Sequence, residues 1–452
     1  YCGQLQTFSV GFDFDEGSNE LAKARSVAEH FDTEHHELHV AGANMSGVIE
    51  RLVQCHDEPF ADAADIPLYL LCEQLKGSIK VVLQGDGGDE MFAGNRRYNV
   101  VSYERAWRWV SRAALGLESL APRGPVYHRA VRFFRAMVHP DPAMRFALLL
   151  TPETLASPPT RVLSADARHK AEQCDPFARY HEVSNRLQHL DAVQRLLYTD
   201  ACILLPDTYL EKVDKSTMAH SIEVRVPFLD AELSGYAMGL PASMKVRRGQ
   251  KKWILRRALR GILPDAILDG KKTGFGVPVD SWMRGPLAEY LRSVVLDHSV
   301  LEWGLFDRAA VEHAVDQHLA GRKNEGNLLY KVLNLAAFCP ERGDRGAQLV
   351  GRAEVLVPVR QAVERVQATP VVMLRPRQLR QDMAIPLAGR DPTYHHVGPA
   401  QAANPPMHWE EHVHEAFGDA LGCRGPEPLQ DNPVQSLERG QVGQRACVVI
   451  YH

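Results

Sequence analysis

The sequence predicts an α/β fold, a parallel sheet flanked by helices, with a largely helical second half. Three observations carry this. Short β-branched runs alternate with helical periodicities over residues 6–94. The apolar run Ile79–Leu83 empties directly into QGDGGDE (Gln84–Glu90), a loop of glycines and carboxylates. From about Asn99 to Leu205 the apolar positions keep helical spacing and prolines interrupt them repeatedly. Strands that alternate with helices pack as a parallel sheet covered on both faces. Ligands of such sheets sit beyond the carboxyl ends of the strands, beside a switch in strand order, which is where Gln84–Glu90 falls.

In chain order, Gln6–Phe12 (QTFSVGF) alternates and carries β-branched and aromatic residues, as a strand does. Asp13, Asp15 and Glu16 then precede a helix led by Ser18 or Asn19, with Leu21, Ala24, Val27 and Ala28 on one face. Glu37–Val40 reads as the second strand. A helix from about Asn44 brings Met45, Val48, Ile49, Leu52 and Val53 onto one side, and Pro67 opens a third helix that runs through Leu75. Ile79–Leu83 is the third strand. The cluster EHHELH (Glu34–His39) lacks the spacing that sets two imidazoles on one helical face, and in a strand His35, His36 and His39 do not all point one way. It reads as polar positions at a strand entrance.

The loop after the third strand combines two properties. Gly85, Gly87 and Gly88 let a ligand approach the main chain. Asp86, Asp89 and Glu90 repel one another, which proteins tolerate where a cation or a cationic partner offsets them. On composition alone an ordinary acidic turn fits equally well. Charge becomes dense again at Asp207–Asp230, where Lys212, Asp214, Lys215, Glu223, Arg225 and Asp230 are interleaved with Met218, Val226 and Phe228. Gln250–Leu263 reads as a basic amphipathic helix ending at Pro264. In the following loop, Asp269–Pro278, lysines beside glycines suit phosphate, and a basic surface loop would look the same.

The 452 residues suffice for two or three domains of about 100–200 residues each. After about Cys339 the character changes: Lys331 is the last lysine, and proline and glutamine become frequent. Residues 1–340 therefore read as one unit and 341–452 as an extension of unknown fold. Only Val355–Val359, Val371–Leu374 and Ala446–Tyr451 look strand-like there. A 45% apolar and 24% charged content with net charge −4 describes an ordinary globular protein and argues against a nucleic-acid-binding surface. No apolar run approaches the ~18 residues of a membrane span and no export signal opens the chain, so the expectation is a cytoplasmic protein without a membrane partner. The eight cysteines form no CxxC pair and read as thiols of a reducing compartment.

The motifs TFSVGF (Thr7–Phe12), HHEL (His35–Leu38), DEPFADAADIP (Asp57–Pro67), GDGGDEMFAG (Gly85–Gly94), YLEKVDKSTMAHSIEVRVPFLD (Tyr209–Asp230) and KKTGFGVP (Lys271–Pro278), in this order, resemble the synthetase domain of glutamine-hydrolysing asparagine synthetases. The resemblance implies an adenine nucleotide α-hydrolase-like fold and an ATP-dependent amide ligase. ATP and aspartate would form β-aspartyl-AMP with Mg²⁺, and ammonia from glutamine would then displace AMP to give asparagine. It also implies an N-terminal glutaminase domain upstream and leaves a homodimer open. Position by position, Val10 would lie against the adenine, with Gln84, Gly85, Gly87, Gly88 and Arg225 also at the nucleotide. Asp86 would serve intermediate formation, Asp89 would bind Mg²⁺, and Lys272 would steady the transition state. Glu223 and Arg225 belong to the motif that closes the site.

There are departures from the family pattern. Gln84 stands where Ser is usual and Gly270 where Arg is common. The pyrophosphate loop SGGxDSS, which belongs upstream of TFSVGF, has no counterpart in the sequence, and neither has the glutaminase domain with its nucleophilic cysteine. The resemblance therefore leaves two alternatives open: a related amidotransferase acting on another carboxylate, as in β-lactam synthetases or polysaccharide-associated enzymes, and a catalytically inactive fragment or scaffold.

Overall fold

Among the described residues every pairing between the strands of the sheet is parallel. The structure, a computed structural model, describes residues 5–12, 21–40, 45–56, 58–116, 125–151, 157–270, 276–341 and 446–449. Its five strands are β1 (Gln6–Phe12), β2 (Glu34–Val40), β3 (Val81–Leu83), β4 (Glu223–Arg225) and β5 (Ala446–Val449), joined in the order β2-β1-β5-β3-β4. The registers set Val10 beside Leu38, Thr7 beside Val448, and Val82 between Cys447 and Val224. The helix α1 (Leu21–His30) carries the chain from β1 to β2, and α2 (Met45–Cys55) and α3 (Asp65–Leu75) carry it from β2 to β3. That second crossover passes over β1 to the far side of the sheet, so the strand order reverses around the position of β5. Because β1 and β3 each pair with β5 and not with each other, β5 joins what are otherwise two separate strand pairs.

One apolar cluster joins Phe8 and Val10 of β1 and Val82 of β3 to Ile49, Ile66 and Leu71 on α2 and α3. The same cluster takes in Leu329 and Leu333 of the helix Gly326–Glu341. Each such aliphatic side chain contributes about 1.5–3 kcal/mol by leaving water. The region from Arg96 to Cys202 is helical throughout its described elements, as its spacing predicts.

The structure moves several predicted boundaries for identifiable reasons. Strand β2 begins at Glu34, not Glu37, because Glu34 N–H donates to Leu5 O (2.9 Å) and the polar side chains pair across the sheet. Strand β3 loses Ile79, whose N–H instead closes the end of α3 on Leu75 O (3.3 Å). Helix α3 starts at Asp65, two residues before Pro67, on a turn in which Ala64 N–H donates to the Asp62 side chain (3.1 Å). The expected helix Gln250–Leu263 shrinks to Trp253–Ala258, with left-handed backbone at Lys252 (φ 51°) before it and at Gly261 (φ 86°) after it. Val355–Val359 and Val371–Leu374 lie outside the described residues. The strand-like run at Ala446–Tyr451 does contain a strand, Ala446–Val449. Among the described residues no helix is long and apolar enough to cross a membrane.

Candidate functional site

The site grows from the end of β3. Gln84 N–H donates to Arg225 O (2.9 Å), so the first loop residue is held against the end of β4 by main-chain atoms. Gly87 then takes a left-handed conformation (φ 82°), and a Cβ there would overlap Leu229 Cδ2. A Cβ on Gly88 would lie 3.1 Å from Phe228 Cδ2. These two glycines therefore let the segment Pro227–Leu229 lie directly on the loop. The short helix α4 (Gly88–Phe92) follows, and Met91 and Phe92 enter a second apolar cluster with Leu205, Ile254, Leu255 and Ala258. Phe92 and Phe228 meet edge to face at 6.0 Å. Three distant stretches of sequence are thus fixed around one turn at the carboxyl edge of the sheet.

The three acidic residues of the loop occupy different electrostatic environments. Burial raises the Asp86 carboxyl above the usual range; Lys212 opposes this, and the charges of Asp89 and Asp62 add to it. Its Oδ2 is buried with no hydrogen-bond partner. Asp89 Oδ1 lies 2.7 Å from Lys252 Nζ. Glu90 is almost wholly buried and accepts a hydrogen bond from Asn95 Nδ2 (3.0 Å). Burial, then the neighbouring charges of Asp89 and Asp200, push its carboxyl up to about 7. An unpartnered, desolvated carboxylate oxygen beside a bare backbone is costly unless a ligand satisfies it, and such perturbed groups concentrate at functional sites.

Lys212 is held by its surroundings. It follows a π-helical turn at Leu205–Leu210, where Pro206 has no N–H to give, and it ion-pairs with Asp62 Oδ2 at 3.1 Å. The helix that carries it, Glu211–Met218, is tied to α3 by a buried polar relay. Ser216 Oγ donates to Asp65 Oδ1, and His56 Nε2 lies 2.6 Å from Asp65 Oδ2 while its ring stacks on Phe60 at 4.6 Å.

Of the residues singled out in sequence, Gln84, Gly85, Asp86, Gly87, Gly88 and Asp89 form one continuous turn. Val10 is buried on β1, two strand positions from β3 across β5, or about 10 Å. Glu223 and Arg225 belong to β4, but both side chains are exposed and pair with each other at 2.8 Å. The Arg225 main chain meets the loop through its carbonyl oxygen, which accepts from Gln84 N–H. Lys272 lies outside the described residues. In EHHELH, His35 has its ring nitrogens 2.9 Å from Thr7 Oγ1 and 3.1 Å from Ser9 Oγ, and His36 stacks on Phe8. Among the described residues no group of three or more His, Cys, Asp or Glu side chains could hold a metal ion.

Lys252 and the buried relay escaped sequence reasoning. Lys252 stood inside an apparently regular basic helix. The relay's only sequence trace was the Asp62/Asp65 spacing in DEPFADAADIP, matched by Lys212/Ser216 one helical turn apart.

A family model described as asparagine synthase matches residues 2–339. Asparagine synthetase [glutamine-hydrolyzing] 1 of Bacillus subtilis is 26% identical over 334 residues, covering 73% of this chain and 51% of that protein. A putative asparagine synthetase [glutamine-hydrolyzing] of Mycobacterium bovis is 33% identical over 343 residues, covering 73% and 50%. Amidase chry2 of Gibberella zeae is 24% identical over 369 residues, covering 74% and 52%. The chain spans about half the length of these curated relatives.

Proposed function

The chain belongs to the asparagine synthase family, and from that premise we propose that residues 1–340 form an ATP-dependent carbon–nitrogen ligase unit on an adenine nucleotide α-hydrolase-like sheet. The side-chain carboxylate of aspartate attacks the α-phosphorus of ATP, releasing pyrophosphate and leaving β-aspartyl-AMP. Ammonia then attacks the acyl carbon, AMP departs, and asparagine remains. The relatives' names describe glutamine hydrolysis, so we take glutamine as the ammonia source, cleaved by a glutaminase domain outside this chain. The reaction is assigned to the cytoplasm, with a homodimer left open.

The observation that carries this reading is the orphaned Asp86 oxygen beside a glycine turn at the carboxyl edge of a parallel sheet. Gln84 and Gly85 offer main-chain groups to the nucleotide, and Gly87 and Gly88 are assigned to the same site as the glycines that let Leu229 and Phe228 pack onto the turn. Val10 is assigned to the adenine side, Lys272 to the developing phosphate charge, and Glu223 with Arg225 to the closing segment. Asp86 and Asp89 fit a Mg²⁺ ion by charge and by the unsatisfied Asp86 oxygen. When bound, that ion would screen the phosphate oxygens. The amidase-named relative favours a second reading in which the acceptor is another carboxylate.

Calorimetric titration of the chain with Mg·ATP tests the nucleotide assignment. Binding that weakens about tenfold in Asp86→Asn supports it, and no binding by the unchanged protein refutes it. Pyrophosphate release with ammonium and a panel of carboxylic acids then identifies the acceptor.

A further inference from the structure

Two residues in left-handed backbone and a glycine whose Cβ position is filled by side-chain atoms surround the Asp89–Lys252 contact. Lys252 holds φ 51° and ψ 37°, Ala93 holds φ 58° and ψ 52°, and both pay a steric cost that glycine would avoid. A Cβ on Gly94 would overlap both Asp89 Oδ1 and Lys252 Cε. The chain therefore bends at Ala93, stays bare at Gly94 and strains at Lys252, and the result is the 2.7 Å contact between Lys252 Nζ and Asp89 Oδ1. Both partners stand on packed supports. Ile254, Leu255 and Ala258 after Lys252 lie in the same apolar cluster as Met91 and Phe92 after Asp89. The pair is not buried deeply enough for stability to explain such an arrangement, since the side chains remain 29% and 20% exposed. Strain retained at a ligand edge points to function.

We propose that Lys252 is a further nucleotide-binding residue whose ammonium is the resident counter-ion of Asp89 and is exchanged when a divalent-cation polyphosphate enters. Asp89 then turns to the divalent cation and Lys252 to the phosphate oxygens, so no carboxylate is left without a counter-charge in either state. A lysine suits this role because its compact charge sits on a flexible stem and can swing between two partners without moving its backbone. On the other side of the turn, Lys212 pairs with Asp62 Oδ2 at 3.1 Å, so a second lysine stands close to the same acidic turn. The proposal rests on the nucleotide reading above.

The test compares Lys252→Met, which keeps the stem and removes the charge, with Lys252→Gly, which relieves the left-handed backbone. Each is titrated with Mg·ATP and, separately, with Mn²⁺ alone followed by electron paramagnetic resonance. Both variants should bind Mg·ATP about tenfold more weakly than the unchanged protein. Both should bind Mn²⁺ alone about threefold more tightly, because Asp89 no longer has a competing ammonium. Lys252→Gly should melt at the same temperature as the unchanged protein or higher, which separates lost binding from lost fold. If Mg·ATP and Mn²⁺ binding are unaltered in Lys252→Gly, the proposal is overturned while the nucleotide reading stands. If the unchanged protein binds no Mg·ATP, both fail together.

Discussion

Replacing Glu90 by Gln should stabilise the protein, and only above mildly acidic pH. The Glu90 carboxyl sits beneath the site turn, almost fully buried, and is pushed from an ordinary 4.5 to about 7, first by burial and then by Asp89 and Asp200. Its pKa is higher folded than unfolded, so between these values the folded protein holds a proton that the unfolded chain has released. Stability attributable to this group is therefore intact below about pH 4.5, falls as pH rises toward 7, and stays low above it. A difference of this size corresponds to about 3 kcal/mol at pH 8, as an order of magnitude. Glutamine keeps an acceptor for Asn95 Nδ2 and cannot ionise. Urea unfolding of both proteins at about pH 5, 6, 7 and 8 should show curves that coincide at the acid end and diverge by up to about 3 kcal/mol at the basic end. Parallel pH profiles, or a variant less stable at pH 8, would refute the assignment of that penalty to Glu90.

Gly87→Ala should cost about 2–4 kcal/mol in thermal unfolding and abolish Mg·ATP binding, because alanine meets both an unfavourable positive φ and the Leu229 side chain. A stable, binding-competent alanine variant would mean that Gly87 is not held at positive φ against Leu229. Val448→Pro removes a main-chain donor from β5 and should speed amide exchange at Phe8 and Val82 in the strands on either side. Unchanged exchange there would show that β5 does not hold the centre of the sheet.

Local pattern made the parallel sheet and the glycine turn after β3 legible. Alternation in QTFSVGF, the β-branched run at Val81–Leu83 and the glycines of Gly85–Gly88 all report on neighbours a few residues away, and each leads to the element found. What was illegible depends on contacts across the chain. Nothing in Ala446–Val449 says that it lies between Gln6–Phe12 and Val81–Leu83, because four apolar residues can pair in many registers and the choice is made by two partners about 360 and 440 positions away. Lys252 was hidden for the same reason. The basic amphipathic pattern around it is real, but Lys252 stands in left-handed backbone before the helix, and its side chain lies against Asp89 and Gly94, more than 150 residues earlier.

The same distinction explains why the acidic turn could not be told from an ordinary one by composition. Three carboxylates in five positions look alike in sequence, yet each has a different solution to its charge. Glu90 is buried and titrates near neutrality, Asp89 is met by an ammonium, and Asp86 keeps one oxygen unsatisfied. An unsatisfied buried oxygen costs free energy that a single donor would remove, and the Asp86 oxygen is the one such carboxylate atom in this turn. Solvation would also have treated all three carboxylates alike. The unequal treatment follows if one carboxylate waits for a ligand, one holds an exchangeable cation, and one supports the turn from below without adding charge to it.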